Sequence, residues 1–166
     1  MNKFTKIIMV ILSLLYVSSC GFKPIYKMSE NSFDFRNYSV KILNESSTSR
    51  EIREEIKKSF PSNSKIEKNY VIEISSVENL DPLITNTDGT IAKYRIEIIM
   101  NFKVKDKNDS TYLIEDFVRG FAQYTVETSE IESEDKKNRM IRMATNSAIQ
   151  MMISKIQSDI PVSNDN

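Results

Sequence analysis

The clearest pattern in the chain lies between Ala92 and Lys105. Ala92, Tyr94, Ile96, Ile98, Met100, Phe102 and Val104 alternate with Lys93, Arg95, Glu97, Ile99, Asn101, Lys103 and Lys105. Successive side chains of a strand point to opposite faces, so this alternation predicts a long antiparallel strand with one buried and one wet face. A shorter alternation sets Tyr38, Val40 and Ile42 against Ser39, Lys41 and Leu43, and Asn69 to Val77 places Tyr70, Ile72 and Ile74 on one side. Both read as strands. Between Glu78 and Thr90, Asp81-Pro82 and Asp88-Gly89 are turn signals, and the segment reads as a connection. The polar run from Lys105 to Ser110 predicts a hairpin, after which Thr111 to Glu127 returns as a fourth strand. There the apolar set moves from Ile114 and Val118 toward Phe117 and Phe121, which predicts a bulge at Gly120.

Two stretches follow a helical period instead. Ile52, Ile56 and Phe60 recur every fourth position, Thr48 and Glu51 have capping-box spacing, and Pro61 ends the run. Ser129 and Glu132 repeat that spacing, with Glu130, Glu132, Glu134 and Asp135 gathered where a helix dipole favours acids. Ile141, Ala144, Ala148 and Met152 then form one stripe of a helix reaching about Ile160. Met140, Met143, Met151 and Met152 are expected in or near the core of that helix rather than on a soft binding surface. The order is β-α-β-β-β-α. The expected fold class is α+β, a four-stranded, mainly antiparallel sheet with both helices packed on one face.

The N-terminus departs from this globular pattern. Lys3 and Lys6 precede an apolar run, Ile7 to Val17 broken only by Ser13, and two small residues, Ser18 and Ser19, follow. That is the order of a secretory signal. At roughly 16 Å of helix the run is too short to cross a hydrocarbon core about 30 Å thick. The single cysteine, Cys20, comes next, and the chain has no histidine. A disulfide within the chain has no second thiol, a catalytic thiol lacks its usual base, and a metal site lacks companion ligands. A free thiol, an intermolecular bridge or an attachment point remain. The expected division is a signal peptide over 1–19, an N-terminal tether over 20–37, one α+β domain over 38–160 and a flexible tail over 161–166.

Composition narrows the function classes. Removing residues 1–19 takes away two of 23 basic residues and none of 23 acidic ones, leaving a chain near −2. Nothing in that balance points to nucleic acid. A chain of about 147 residues buries enough surface to fold without disulfide or metal. Asp106-Lys107-Asn108-Asp109 opens like a calcium loop, but Ser110 and Thr111 break it. No pair of carboxylates is placed by a catalytic motif, so neither an enzyme nor a cofactor is expected. Lys93, Arg95, Lys103 and Lys105 share the wet face of the third strand and read as a solvated face.

Val17-Ser18-Ser19-Cys20 resembles the bacterial lipobox, and Cys20-Gly21-Phe22-Lys23-Pro24-Ile25-Tyr26 resembles the start of the lipopolysaccharide-assembly lipoproteins, the LptE family. Gly89 to Tyr94, Tyr124 to Ser129 and the order of elements are similar to that family too, so the likeness spans nearly the whole chain. The resemblance implies that Cys20 is lipidated. Gly21 stands where an inner-membrane retention signal would have aspartate, which implies an outer-membrane address facing the periplasm. The resemblance further implies a non-enzymatic role. Such proteins plug the β-barrel of an LptD-type partner, help it assemble, and with it insert lipopolysaccharide into the outer leaflet. Family members are similar in carrying basic lipid contacts near the turn before the third strand. Here Asn86, Thr87 and Asp88 hold that turn, and the nearest cations, Lys93 and Arg95, are the candidate lipopolysaccharide contacts. The alternative is a lipid-binding auxiliary lipoprotein of another envelope transport system. That would need an apolar cavity of roughly 300–1,000 Å³, and one sheet face and two helix stripes leave few apolar residues to line it.

Overall fold

The structure is a computed structural model and describes residues 38–60, 69–109 and 111–159. Six elements follow the expected order: β1 (Tyr38–Ile42), α1 (Arg50–Ser59), β2 (Tyr70–Thr85), β3 (Ile91–Asp106), β4 (Tyr112–Thr125) and α2 (Glu130–Asp159). The strands form one sheet in the order β1-β2-β3-β4. β1 is parallel to β2, with α1 in the crossover between them, and the other two pairings are antiparallel. The fold class is therefore as expected, an α+β domain with both helices on one face.

The core sits between that face and the helices. Ile96, Ile98, Met100, Phe102 and Val104 of β3 are fully buried, beside Ile72 and Ile74 of β2 and Ile114 and Val118 of β4. From the helices come Ile52 and Ile56 of α1, and Ile141, Ala144, Ala148, Ile149, Met152 and Ile156 of α2. The α2 stripe is wider than its spacing announced because α1 lies alongside it. Asn146 donates to Glu55 at 3.1 Å, and Arg142 faces Glu51 at 3.9 Å, across that helix–helix seam. Met152 is buried and Met140 packs against the core, but Met143 and Met151 are exposed, contrary to expectation. Both lie off the stripe, on the solvent side of a helix that is covered on only part of its circumference.

Three local expectations are corrected. β2 does not end at Val77 but continues through Pro82 to Thr85, with its register irregular between Pro82 and Thr85. β1 pairs only with Tyr70 to Ile74, so the far half of β2 is an edge where the absent proline N–H breaks no ladder bond. Asp81-Pro82 is thus not a turn; the turn is Asn86 to Thr90. There the Asn86 N–H donates to the Thr90 carbonyl at 2.7 Å, and Asp88 Oδ1 accepts from the Thr90 N–H and hydroxyl. Gly89 supplies the positive φ, 86°.

The second correction concerns the first helix. Its N-cap is Ser49, whose side chain makes no capping bond. Thr48 is buried instead in a polar knot, donating to the Asn44 carbonyl at 2.9 Å and lying 3.2 Å from the Ser76 hydroxyl. The Asn44 amide grips both backbone groups of Ser76, prolonging β1's hold on β2 by one rung. The third correction is Gly120. The β3–β4 register runs unbroken from Val104↔Ile114 through Ile98↔Gly120 to Lys93↔Thr125, and the irregularity lies at Lys105↔Tyr112. Gly120 keeps its inward phase. It lacks a side chain because the backbone of α2 occupies that space: a β-carbon there would lie 1.9 Å from the Ala144 carbonyl oxygen.

Candidate functional site

The unbroken phase of β4 decides the character of the outer sheet face. Phe117 and Phe121 remain on it, about half exposed at 47% and 52%. Ile99 lies opposite Val77 on one side and Arg119 on the other, so Val77, Ile99, Phe117 and Phe121 form an apolar patch across three strands, with Arg119 set between the two phenylalanines and its guanidinium 5.4 Å from the Phe117 ring. The face is not the purely wet surface its lysines announced.

Around this patch the charges are matched. Arg95 meets Asp81 at 3.0 Å, Lys103 meets Glu115 at 2.6 Å, Lys105 meets Glu73 at 2.9 Å and Arg119 meets Glu97 at 3.7 Å. The Tyr112 ring lies under the ammonium groups of Lys103 and Lys105, at 5.0 and 5.6 Å, and its hydroxyl donates to Glu73. Hydrogen bonds from Lys105 and then Tyr112 hold the Glu73 carboxyl below the usual carboxylate range, against its burial. The same partner, Glu73, raises Lys105 above the usual lysine value. These cations are therefore engaged, and a phosphate would have to displace carboxylates to reach them.

Lys93 and Arg95 lie two residues apart on the same face of β3, near the hairpin end. Arg95 is held by Asp81. Lys93 makes no ion pair or hydrogen bond among the described residues, which leaves it the more available of the two. Past it the β2–β3 hairpin carries exposed Leu80, Leu83 and Ile84 toward its tip. Cys20 and the six residues that follow it lie outside the described residues. Among the described residues no cluster of three metal-ligating side chains occurs and no helix is long and apolar enough to cross a membrane.

The sequence pattern gave no sign of two clefts. One, of about 550 Å³, lies where the start of β3, the end of β4 and the first turns of α2 meet, lined by Ile91, Tyr94, Tyr124, Val126, Glu127, Glu130, Ser133 and Glu134. The other, of about 270 Å³, is on the outer face between Leu43, Lys103, Glu115 and Phe117. Both linings mix apolar side chains with carboxylates, Glu127, Glu130 and Glu134 in the first and Glu73, Glu115 and Asp116 in the second.

No family model matches the chain. No curated protein matches it either. Solved structures do share its fold. A candidate lipoprotein from Caulobacter crescentus superposes with a TM-score of 0.59 at 9% identity, over 75% of this chain and 90% of that one. A minor lipoprotein from Acinetobacter baumannii superposes with a TM-score of 0.53 at 11% identity, over 75% of this chain and 92% of that one. At such identities the likeness is one of fold. It fixes the sheet and its two helices as an arrangement found in proteins described as lipoproteins.

Proposed function

We propose that this chain is a lipid-anchored lipoprotein of the outer membrane that plugs an LptD-type β-barrel, assists its assembly and takes part in lipopolysaccharide insertion. Cys20, placed directly after a short signal-like run, is the anchor in this reading. The observation that carries the partner role is the outer sheet face. Exposed Val77, Phe117 and Phe121 with half-buried Ile99 form an apolar patch among internally paired charges. Such a face is soluble alone and suits a wall that offers apolar contacts at its centre and polar groups at its rim. The carboxylates on both cleft linings disfavour an anionic lipid headgroup there, which supports the plug over a lipid carrier. The fold shared with two proteins described as lipoproteins agrees with this reading.

The full chain, purified from detergent-solubilised outer membrane, should bring down one large barrel protein per copy. Depleting the chain should lower the barrel's mature level. Phe117→Ser with Phe121→Ser should reduce that recovery at least about fivefold, with little change in thermal midpoint because both rings are half in solvent. Lys93→Glu should weaken lipopolysaccharide binding more than Arg95→Glu, whose cation is already paired. Recovery of no barrel, together with extraction of phospholipid from vesicles by the purified chain, would replace the plug with the carrier.

A further inference from the structure

β4 is the last strand of the sheet, and no other described strand lies along its outer edge. Backbone groups of an antiparallel strand turn alternately to one side and the other. The phase of β4 is fixed near both ends. The Val126 N–H donates inward to the Ala92 carbonyl, while the Phe117 N–H and C=O are taken up by Asp116 and by Lys155 of α2. Val118, Gly120 and Ala122 therefore face β3, and Arg119, Phe121 and Gln123 turn their backbone groups outward. Those outward groups have no partner among the described residues. Natural sheet edges are blunted by charge, proline, bulge or cover. This one is blunted at Phe117 and left open beyond it.

The open rungs have apolar flanks on both faces of the sheet. On the outer face stands Phe121, half in solvent. On the other runs α2, and Lys155 shows which side of that helix borders the edge. Met151 lies one turn before Lys155, and Met140 about three turns before Met151, on the same side. Met151 is exposed and Met140 half-buried, with half-buried Ser147 between them. Thioethers adapt to varied apolar neighbours. No unpaired charge stands in this stretch, since Arg119 meets Glu97 at 3.7 Å.

A second copy does not fit these rungs. α2 rests backbone to backbone on β4 at Gly120. Two β4 strands paired there would bring their α2 helices to about 5 Å, the strand spacing, where packed helices need about 8–10 Å. The added strand must therefore carry no helix over its inner face. It must also be uncharged against Met140 and Met151, where a charge would be desolvated without a partner.

We propose that the β4 edge from Arg119 to Gln123 receives one extended, uncharged, apolar segment of a partner protein by strand addition. Its backbone bonds the open rungs, and its alternate side chains lie against Met151 and Phe121. The Lys155 clamp marks where the added strand stops. The inference goes beyond the barrel reading and stands whether or not a barrel is recovered.

The test uses the full ¹⁵N-labelled chain in detergent micelles at neutral pH, with acetyl-Gln-Val-Thr-Val-Thr-Val-Gln amide as the probe. The peptide should shift the Arg119, Phe121 and Gln123 amides saturably and slow their hydrogen exchange. Val118, Gly120 and Ala122, already bonded to β3, should change little. The same peptide N-methylated at every valine and threonine keeps its side chains, loses its donors, and should bind at least about tenfold more weakly. Gln123→Pro removes one outward N–H and no bond to β3, a change that an edge tolerates. It should weaken the peptide at least about fivefold while leaving the thermal midpoint near that of the parent. No saturable shift, equal binding of the N-methylated peptide, slowed exchange without the alternation, or unchanged affinity in Gln123→Pro would each overturn the proposal. Dimers of the chain alone that protect the same amides would assign the edge to a second copy and overturn the partner segment.

Discussion

The carbonyl oxygen of Ala144 stands 1.9 Å from where a β-carbon on Gly120 would be, so α2 rests backbone to backbone on β4. Gly120→Ala must push helix and sheet apart at the centre of the core. A cost of about 3 kcal/mol is expected, at the upper end for overpacking. Gly89, by contrast, has open space around its missing side chain and only its φ of 86° to defend. Gly89→Ala should cost about 1–2 kcal/mol through backbone strain alone. Denaturant midpoints of the two variants order these effects; equal midpoints would mean that α2 does not approach β4 so closely.

Phe102 and Lys103 are neighbours on opposite faces of β3. Phe102 is fully buried, while Lys103 is partly exposed and paired with Glu115. Phe102→Ala should cost about 3–5 kcal/mol through lost transfer and cavity terms. Lys103→Ala should cost less than about 1 kcal/mol, the range of a surface ion pair. Equilibrium urea unfolding reads both, and a reversed order would invert the sheet.

The contrast between those neighbours was legible in the sequence, and the points where legibility failed share a cause. Alternation from Ala92 to Lys105 reports a strand because each residue's environment is set by its own phase. The α2 stripe is legible likewise through Ile141, Ala144, Ala148 and Met152. Gly120 misled because its environment is set by a residue 24 positions away; a missing side chain looks the same whether a bulge or a helix backbone removed it. Pro82 misled because its tolerance depends on β1 stopping opposite Ile74, a fact about pairing. The cleft was hidden for a third reason. Tyr94 and Tyr124 become stacked neighbours only through the β3–β4 register, and the glutamates beside them look complete as dipole-offsetting acids.

Glu73 sets a pH dependence. Its folded pKa is depressed by its hydrogen bonds with Lys105 and Tyr112, while the unfolded value lies near the ordinary glutamate pKa of about 4.3. The folded carboxyl thus binds its proton less readily than the unfolded one. Its contribution to stability is present above the unfolded value and is lost as pH falls through the folded one. Glu73→Gln should therefore be clearly less stable than the parent at pH 7, and the difference should shrink from about pH 5 downward. Thermal midpoints across pH 3 to 7 would show the convergence; a constant gap would mean that the carboxylate's charge plays no part.

Lys155 guards an edge. From α2 its ammonium pairs with the Asp116 carboxylate and donates to the Phe117 carbonyl at 3.1 Å, while Asp116 accepts the Phe117 N–H at 2.7 Å. Both outward backbone groups of Phe117, on a β4 edge that no other described strand covers, are thereby occupied, which hinders pairing with another strand at that rung. Lys155→Ala should lose less than about 1 kcal/mol of stability yet acquire concentration-dependent self-association. Sedimentation over a range of concentrations reads the difference, and a variant that stays monomeric throughout would remove the guarding role.

Ala144 stands at the midpoint of the 30 residues of α2, so its seat on Gly120 is a fulcrum. Each arm of the helix reaches about 22 Å from it. One arm carries Glu130 and Glu134 past the tyrosine pair, and the other carries Lys155 to the β4 edge. A rocking motion of about 5° would move the two tips by about 2 Å in opposite senses. A tilt of the helix about that seat would thus be felt at both ends at once, at the tyrosine pair and at the guarded strand edge.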